Sequence, residues 1–175
     1  RPQRAPHQRL GEDDPGRVDV ALRRSRVAVD LLARVVAGDG FSRKVVLKGL
    51  LSRLSDDPTS RQLFLREARL TAALDHPNIV RVFDLITLDE RPRLVMEYVR
   101  GRNFHQAIQR STADCKPLPI ALVLHVLSQL LRGLHHAHCV RDEDDRPLGI
   151  VHRDVSPGNV LVGFLGEVKV TDFGI

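Results

Sequence analysis

The stretch HRDVSPGN, residues 152 to 159, holds a histidine, an arginine, an aspartate, a serine and an asparagine between two apolar runs. Such a set can take or give a proton, donate hydrogen bonds and offer hard oxygen atoms to a cation. Its chemical question is which reaction would need an acid at Asp154 and an amide five residues later at Asn159. Three more residues stand out by position: Lys48 follows the apolar run VVL, Glu67 lies beside a helical stripe, and Asp172 begins DFG. Taken singly each has an ordinary reading, as a lysine snorkelling from a strand end, a solvated helix glutamate and a turn aspartate. HHAHC offers a different chemistry, since His135, His138 and Cys139 fall at i, i+3 and i+4 of a helix and could ligate a metal. The competing reading of that pentapeptide is a helix end packed under the 152–159 loop.

The chain that must position these groups has 175 residues, 42% of them apolar, enough to bury a sizeable core in one domain or part of one. No window of about 18 uncharged apolar residues occurs, so no membrane-spanning segment is expected. The first residues, RPQRAPHQRLGEDDPGR, carry no apolar core of a secretory signal and no initiating methionine. Cys115 and Cys139 form no spacing motif, which favours a reducing, cytoplasmic setting. The net charge of +5 is spread along the chain and aromatic residues make up 4%, so nucleic acid is not an expected partner.

Residues 1 to about 19 are rich in proline, arginine and acid without apolar periodicity, as in a mobile tail. RVAVDLLARVV (26–36) suits a strand or a short helix, and RKVVLKGLL (43–51) a buried strand. A helix follows, with Asp57 as N-cap, Pro58 at its first position, Pro77 as its stop and Leu63, Phe64, Ala68, Thr71 and Leu74 as its inward stripe. IVRVFDLITL (79–88) and RLVMEYV (93–99) read as strands, with Arg91 and Pro92 in the turn between them. Beyond Gly101 the pattern becomes helical, first around Phe104, Ala107 and Ile108, then from 120 to 138 through Val123, Leu124, Leu127, Leu130, Leu131 and Leu134. Three strand-like pieces close the chain: GIV, NVLV and EVKVT.

Lys48 in VVLK, Glu67 in a helix, VMEYV, HRDVSPGN and TDFG occur in the order of the eukaryotic-type protein-kinase signatures. The sequence resembles the catalytic domain of a bacterial serine/threonine protein kinase, over residues from about 29 to 175. The resemblance implies an α+β fold of two lobes. Residues 1–28 would be a disordered or degenerate segment, 29–100 a strand-rich lobe with one long helix, and 101–175 the start of a helical lobe, running through DFG.

The resemblance also implies roles. Asp154 would accept or orient the proton of a substrate hydroxyl, and Asn159 and Asp172 would hold magnesium. Lys48 would contact the α and β phosphates of ATP, with Glu67 paired to it. Met96, Glu97 and Val99 would line the adenine. The partners implied are ATP and a protein bearing serine or threonine.

Three departures accompany the likeness. LRRSRVAVDLLAR (22–34), where glycines should cradle the phosphates, has none, and Gly11, Gly16, Gly38 and Gly40 are poorly placed to substitute. Ser156 stands where such kinases usually place a lysine. The sequence ends just after DFG, which reads as a fragment or disrupted product without measurable transfer activity of its own. Two other functions stay in view: a pseudokinase or scaffold without turnover, and a small-molecule phosphotransferase of kinase-like fold.

Overall fold

The computed structural model describes residues 21–24, 28–36 and 42–173. The expected tail, the glycines at 11, 16, 38 and 40 and the final two residues lie outside them. The described chain falls into two compact units, one of residues up to Arg61 together with Asp84–Tyr98, the other of Gln62–Phe83 and Val99 onward.

The first unit is built on a sheet of five strands in the order β1-β2-β3-β5-β4: β1 (Ala21–Arg24), β2 (Ala28–Val36), β3 (Ser42–Leu50), β4 (Val82–Leu88) and β5 (Arg91–Glu97). The stretch that could have been strand or short helix is thus strand. Val29, Leu31, Val35 and Val36 fit an extended chain, and pairing with β3 over all nine residues decides the matter. β3 buries Val45 and Leu47 on one face and Lys48 on the other, and β5 buries Leu94, Val95 and Met96. At Gly49 a Cβ would collide with the Arg93 side chain, so the bare backbone is what lets that guanidinium lie across the strand.

The β4–β5 turn corrects an expectation. Arg91 and Pro92 are inside β5, and the turn is Asp89–Glu90, both left-handed with φ of 50° and 60°. Two successive left-handed residues match the twist of a tight hairpin, and this local geometry outweighs the turn preference of proline. A one-turn helix, α1 (Ser52–Ser55), precedes α2 (Pro58–Ala72). Asp57 caps α2 as expected: its Oδ2 accepts from the Ser60 amide at 2.8 Å and from the Ser60 hydroxyl at 2.6 Å. Those bonds hold the Asp57 carboxyl below its ordinary range.

From the second unit α2 contributes Phe64, Ala68 and Thr71 as buried residues, while Leu63 of the expected stripe is 47% exposed. The unit continues through β6 (Gly101–Asn103), α3 (Phe104–Ala113), α4 (Ile120–Cys139), β7 (Val160–Gly163) and β8 (Val168–Val170), the strands pairing antiparallel as β6-β7-β8. A capping box fixes the start of α3, with Asn103 and Gln106 exchanging side-chain to backbone bonds. GIV at 149–151 is not a strand; only Ile150 enters the core, beside Leu74, Ile79, Val126, Leu130, Ala137, Val160, Val168, Val170 and Phe173. α4 buries Val126, Leu130, Gly133 and Ala137, whereas Leu124, Leu127 and Leu131 of the expected stripe are exposed. The helix is apolar on more than one side, so periodicity alone could not choose its inward face. No helix among the described residues is long and apolar enough to cross a membrane.

Candidate active site

The 152–159 loop is anchored at its first residue. His152 is 1% exposed, its Nδ1 accepts the Asp154 amide at 3.3 Å and its Nε2 meets the Thr171 carbonyl at 3.0 Å. An amide can only donate and a carbonyl only accept, so both contacts are satisfied by the neutral imidazole with its hydrogen on Nε2. The ring also packs against Phe173, centroids 4.7 Å apart. Between His152 and Asp154 the backbone turns sharply: Arg153 has φ of 63°, and the Asp154 amide donates to the His152 carbonyl at 2.8 Å. A bond from i to i+2 about a left-handed residue is a γ-turn, strained by about 1–3 kcal/mol and kept in place here by the buried imidazole.

At the other end of the loop, a 3-10 turn (Pro157–Asn159) delivers Asn159. Its Nδ2 donates to the Asp154 carbonyl at 3.0 Å and to Asp154 Oδ2 at 2.9 Å. Because a carboxylate only accepts, these bonds fix which side of the amide is nitrogen. The amide oxygen is then the atom Asn159 can offer elsewhere. The Thr171 amide donates to the Asn159 carbonyl at 3.0 Å, and the Thr171 hydroxyl lies 3.5 Å from Asp172 Oδ1. Asp172 is left-handed with φ of 61° and half-buried. Hence one hydrogen-bonded assembly joins Asp154, Asn159 and the 171–173 segment.

The other expected site residues are placed as follows. Lys48, 7% exposed, sits in β3 opposite Leu94 of β5 and Asp30 of β2. Met96 is buried and pairs with Val46, Glu97 pairs with Val45, and Val99 lies just past the strand, half-buried. Glu67 is half-buried on α2, three residues after buried Phe64 and four before buried Thr71. Ser156 is half-buried, and its carbonyl accepts the Asn159 amide at 3.0 Å.

Of the alternative metal residues, His135 and Cys139 approach to 3.7 Å, but no group of three or more His, Cys, Asp or Glu suited to a metal ion occurs among the described residues. Two features went unforeseen. His76 stacks on His136 with centroids 4.9 Å apart, and Asp30 stands across from Lys48. The first was signalled only by histidines in both DHPN and LHHAHC, and the second only by one acid in an otherwise apolar strand.

Comparison with known proteins gives the family. Residues 35–175 match the family described as protein kinase domain. The chain is 41% identical over 144 residues to the tyrosine-protein kinase MasK of Myxococcus xanthus, covering 82% of this chain and 22% of MasK. It is 36% identical over 155 residues to the serine/threonine-protein kinase PrkC of Bacillus subtilis, again covering 82% and 22%. With the serine/threonine-protein kinase PknA of Mycobacterium tuberculosis it shares 39% over 140 residues, covering 77% of this chain and 30% of PknA. The chain thus spans less than a third of the length of these relatives. The crystal structure of the Mycobacterium tuberculosis PknI kinase domain superposes with a TM-score of 0.66 at 30% identity, over 91% of this chain and 58% of that one. The α+β fold is therefore a protein-kinase fold, shared with bacterial serine/threonine kinases. This chain belongs to the protein kinase domain family.

Proposed function

We propose that the chain carries the nucleotide-binding and catalytic residues of an ATP-dependent protein kinase that phosphorylates serine or threonine hydroxyls. The observation that carries this reading is the loop in which Asn159 binds Asp154 through two hydrogen bonds while His152 locks the turn before it. Phosphoryl transfer asks little covalent chemistry of a protein, and placement of oxygen atoms and charge is the main task. Asp154 is the group that takes or orients the acceptor proton. It is exposed, so a hydroxyl can reach it, and its carboxylate is held from one side by Asn159.

The donor set suits magnesium. Asn159 has its amide oxygen to give and Asp172 a half-buried carboxylate, both hard oxygen ligands of the kind Mg2+ takes together with phosphate oxygens and water. Bound there, magnesium would neutralise phosphate charge. In the first unit Lys48 supplies a cation for the α and β phosphates, and the backbone of Glu97 and Val99, beside buried Met96, suits the adenine edge. Glu67 is the counter-charge assigned to Lys48.

The names of the serine/threonine-protein kinases PrkC and PknA support a preference for serine and threonine, and that of the tyrosine-protein kinase MasK sets the alternative acceptor. The test is radiolabel transfer from Mg-ATP, by this chain completed with a glycine-rich loop and an activation segment, to peptides differing only in serine, threonine or tyrosine at the acceptor position. Transfer to serine or threonine that Asp154→Asn abolishes is expected, and transfer to tyrosine alone would reverse the acceptor assignment.

A second reading, a nucleotide-binding or scaffold module without turnover, draws on one feature. The 21–36 stretch has no glycine that would let backbone amides close on phosphates. Binding of Mg-ATP without transfer to any peptide would select it.

A further inference from the structure

We infer that Asp30 is an internal competitor for Lys48, a built-in anion that nucleotide phosphates must displace. The inference rests on the reading of Lys48 as the phosphate contact. Asp30 and Lys48 are register partners across the β2–β3 pair. Directly opposed residues of antiparallel strands share a face, with Cβ atoms about 4.5–5.5 Å apart, well within reach of a lysine stem and a carboxylate.

The register positions around Lys48 on that face are otherwise apolar. Its partner on the other side is Leu94, and its neighbours two positions along β3 are Val46 and Leu50. Two positions along β2 stands Leu32, and Met96 holds the equivalent place on β5. Glu97, the acid of β5, alternates to the opposite face with Val45. An ammonium only 7% exposed favours carboxylates close to it, and the Glu67 assigned to Lys48 leaves room for a second one in the sheet. Asp30, itself half-buried, is placed to provide one within its own sheet. Arg23 of β1 is the register partner of Asp30 on its far side, so the rung runs Arg23, Asp30, Lys48, Leu94.

An incoming polyphosphate therefore meets both a lysine already neutralised and a negative charge beside it. Asp30 lowers nucleotide affinity, and neutralising it raises that affinity.

The test is a calorimetric titration of the 175-residue chain with Mg-ADP, for wild type, Asp30→Asn, Asp30→Glu, Lys48→Gln and the Asp30→Asn/Lys48→Gln pair, each first verified as folded by circular dichroism. Asp30→Asn should bind about tenfold more tightly than wild type, Asp30→Glu should stay near wild type, and most of the gain should vanish in the Lys48→Gln background. Asp30→Ser carries the same expectation if the asparagine variant does not fold. Unchanged affinity in the neutral variants, or a gain undiminished without Lys48, overturns the inference. Absence of Mg-ADP binding in every folded variant instead overturns the reading of the nucleotide site itself.

Discussion

Asn159 donates its side-chain nitrogen to Asp154 at two places, the main-chain carbonyl at 3.0 Å and Oδ2 at 2.9 Å. The amide thus aims the carboxylate and at the same time turns its own oxygen outward. Asn159→Ala removes both functions. It should weaken Mg-ATP binding by about tenfold or more, in the range seen when groups that orient a metal site are lost. Titration calorimetry at fixed magnesium measures it, and an unchanged affinity would remove Asn159 from the magnesium set.

The imidazole of His152 joins the loop to Thr171 and packs on Phe173. His152→Ala deletes a buried ring, removes the imidazole partner of the Thr171 carbonyl and leaves the Asp154 amide only the main-chain carbonyl of residue 152. The variant should lose about 2–4 kcal/mol of stability in urea unfolding. Phe173→Leu, which keeps the hydrogen bonds and most of the volume, should lose clearly less.

A dependence on pH follows from His76. Burial lowers its pKa most, and the neighbouring His136, Arg132 and Lys169 lower it further. Its Nδ1 already accepts the Asn78 amide at 3.1 Å, a bond that protonation would end. With the folded value below the ordinary one near 6.5, the unfolded chain takes up the proton first. The stability from this site is therefore present above about pH 6.5 and lost as pH falls below it. Thermal melts at pH 7.5 and 5.5 should show a drop in Tm at the lower pH, and His76→Gln should reduce that drop. Equal drops in both proteins would rule out His76 as its source.

Gly133 marks the closest approach of α4 to the 78–80 segment, for a Cβ there would lie 2.9 Å from the Asn78 carbonyl oxygen. The Asn78 side chain and backbone also bind Val168 and Val170, so the segment has little room to retreat. Gly133→Ala should destabilise by about 1–2 kcal/mol, overpacking outweighing the gain in helix propensity. Denaturant unfolding would show it, and a more stable variant would mean the contact can relax.

The hydrogen-bonded arrangement of the 152–159 loop was legible because it is local: His152, Asp154 and Asn159 lie within eight residues, and a turn of that length can bring them together without help from distant sequence. The cap at Asp57 was legible for the same reason, with Pro58 and Ser60 alongside. Properties set by distant partners were not. The inward face of α4 depends on what packs against it, and Leu124, Leu127 and Leu131 are as apolar as Leu130. The opposition of Asp30 and Lys48 is a matter of register between strands, and the His76–His136 stack a matter of where a loop meets a helix. Pro92 misled because a proline can sit within a strand at a position its pairing permits.

The most direct measurement of the central claim is the binding of ATP to the 175-residue chain by calorimetry, with magnesium and with EDTA, in wild type and Asp172→Asn. The account predicts binding that depends on magnesium and weakens about tenfold or more in Asp172→Asn, with the folded state unchanged by circular dichroism. ATP affinity equal with magnesium and with EDTA, and equal in Asp172→Asn, would contradict the assignment of Asp172 and Asn159 as the magnesium-holding pair.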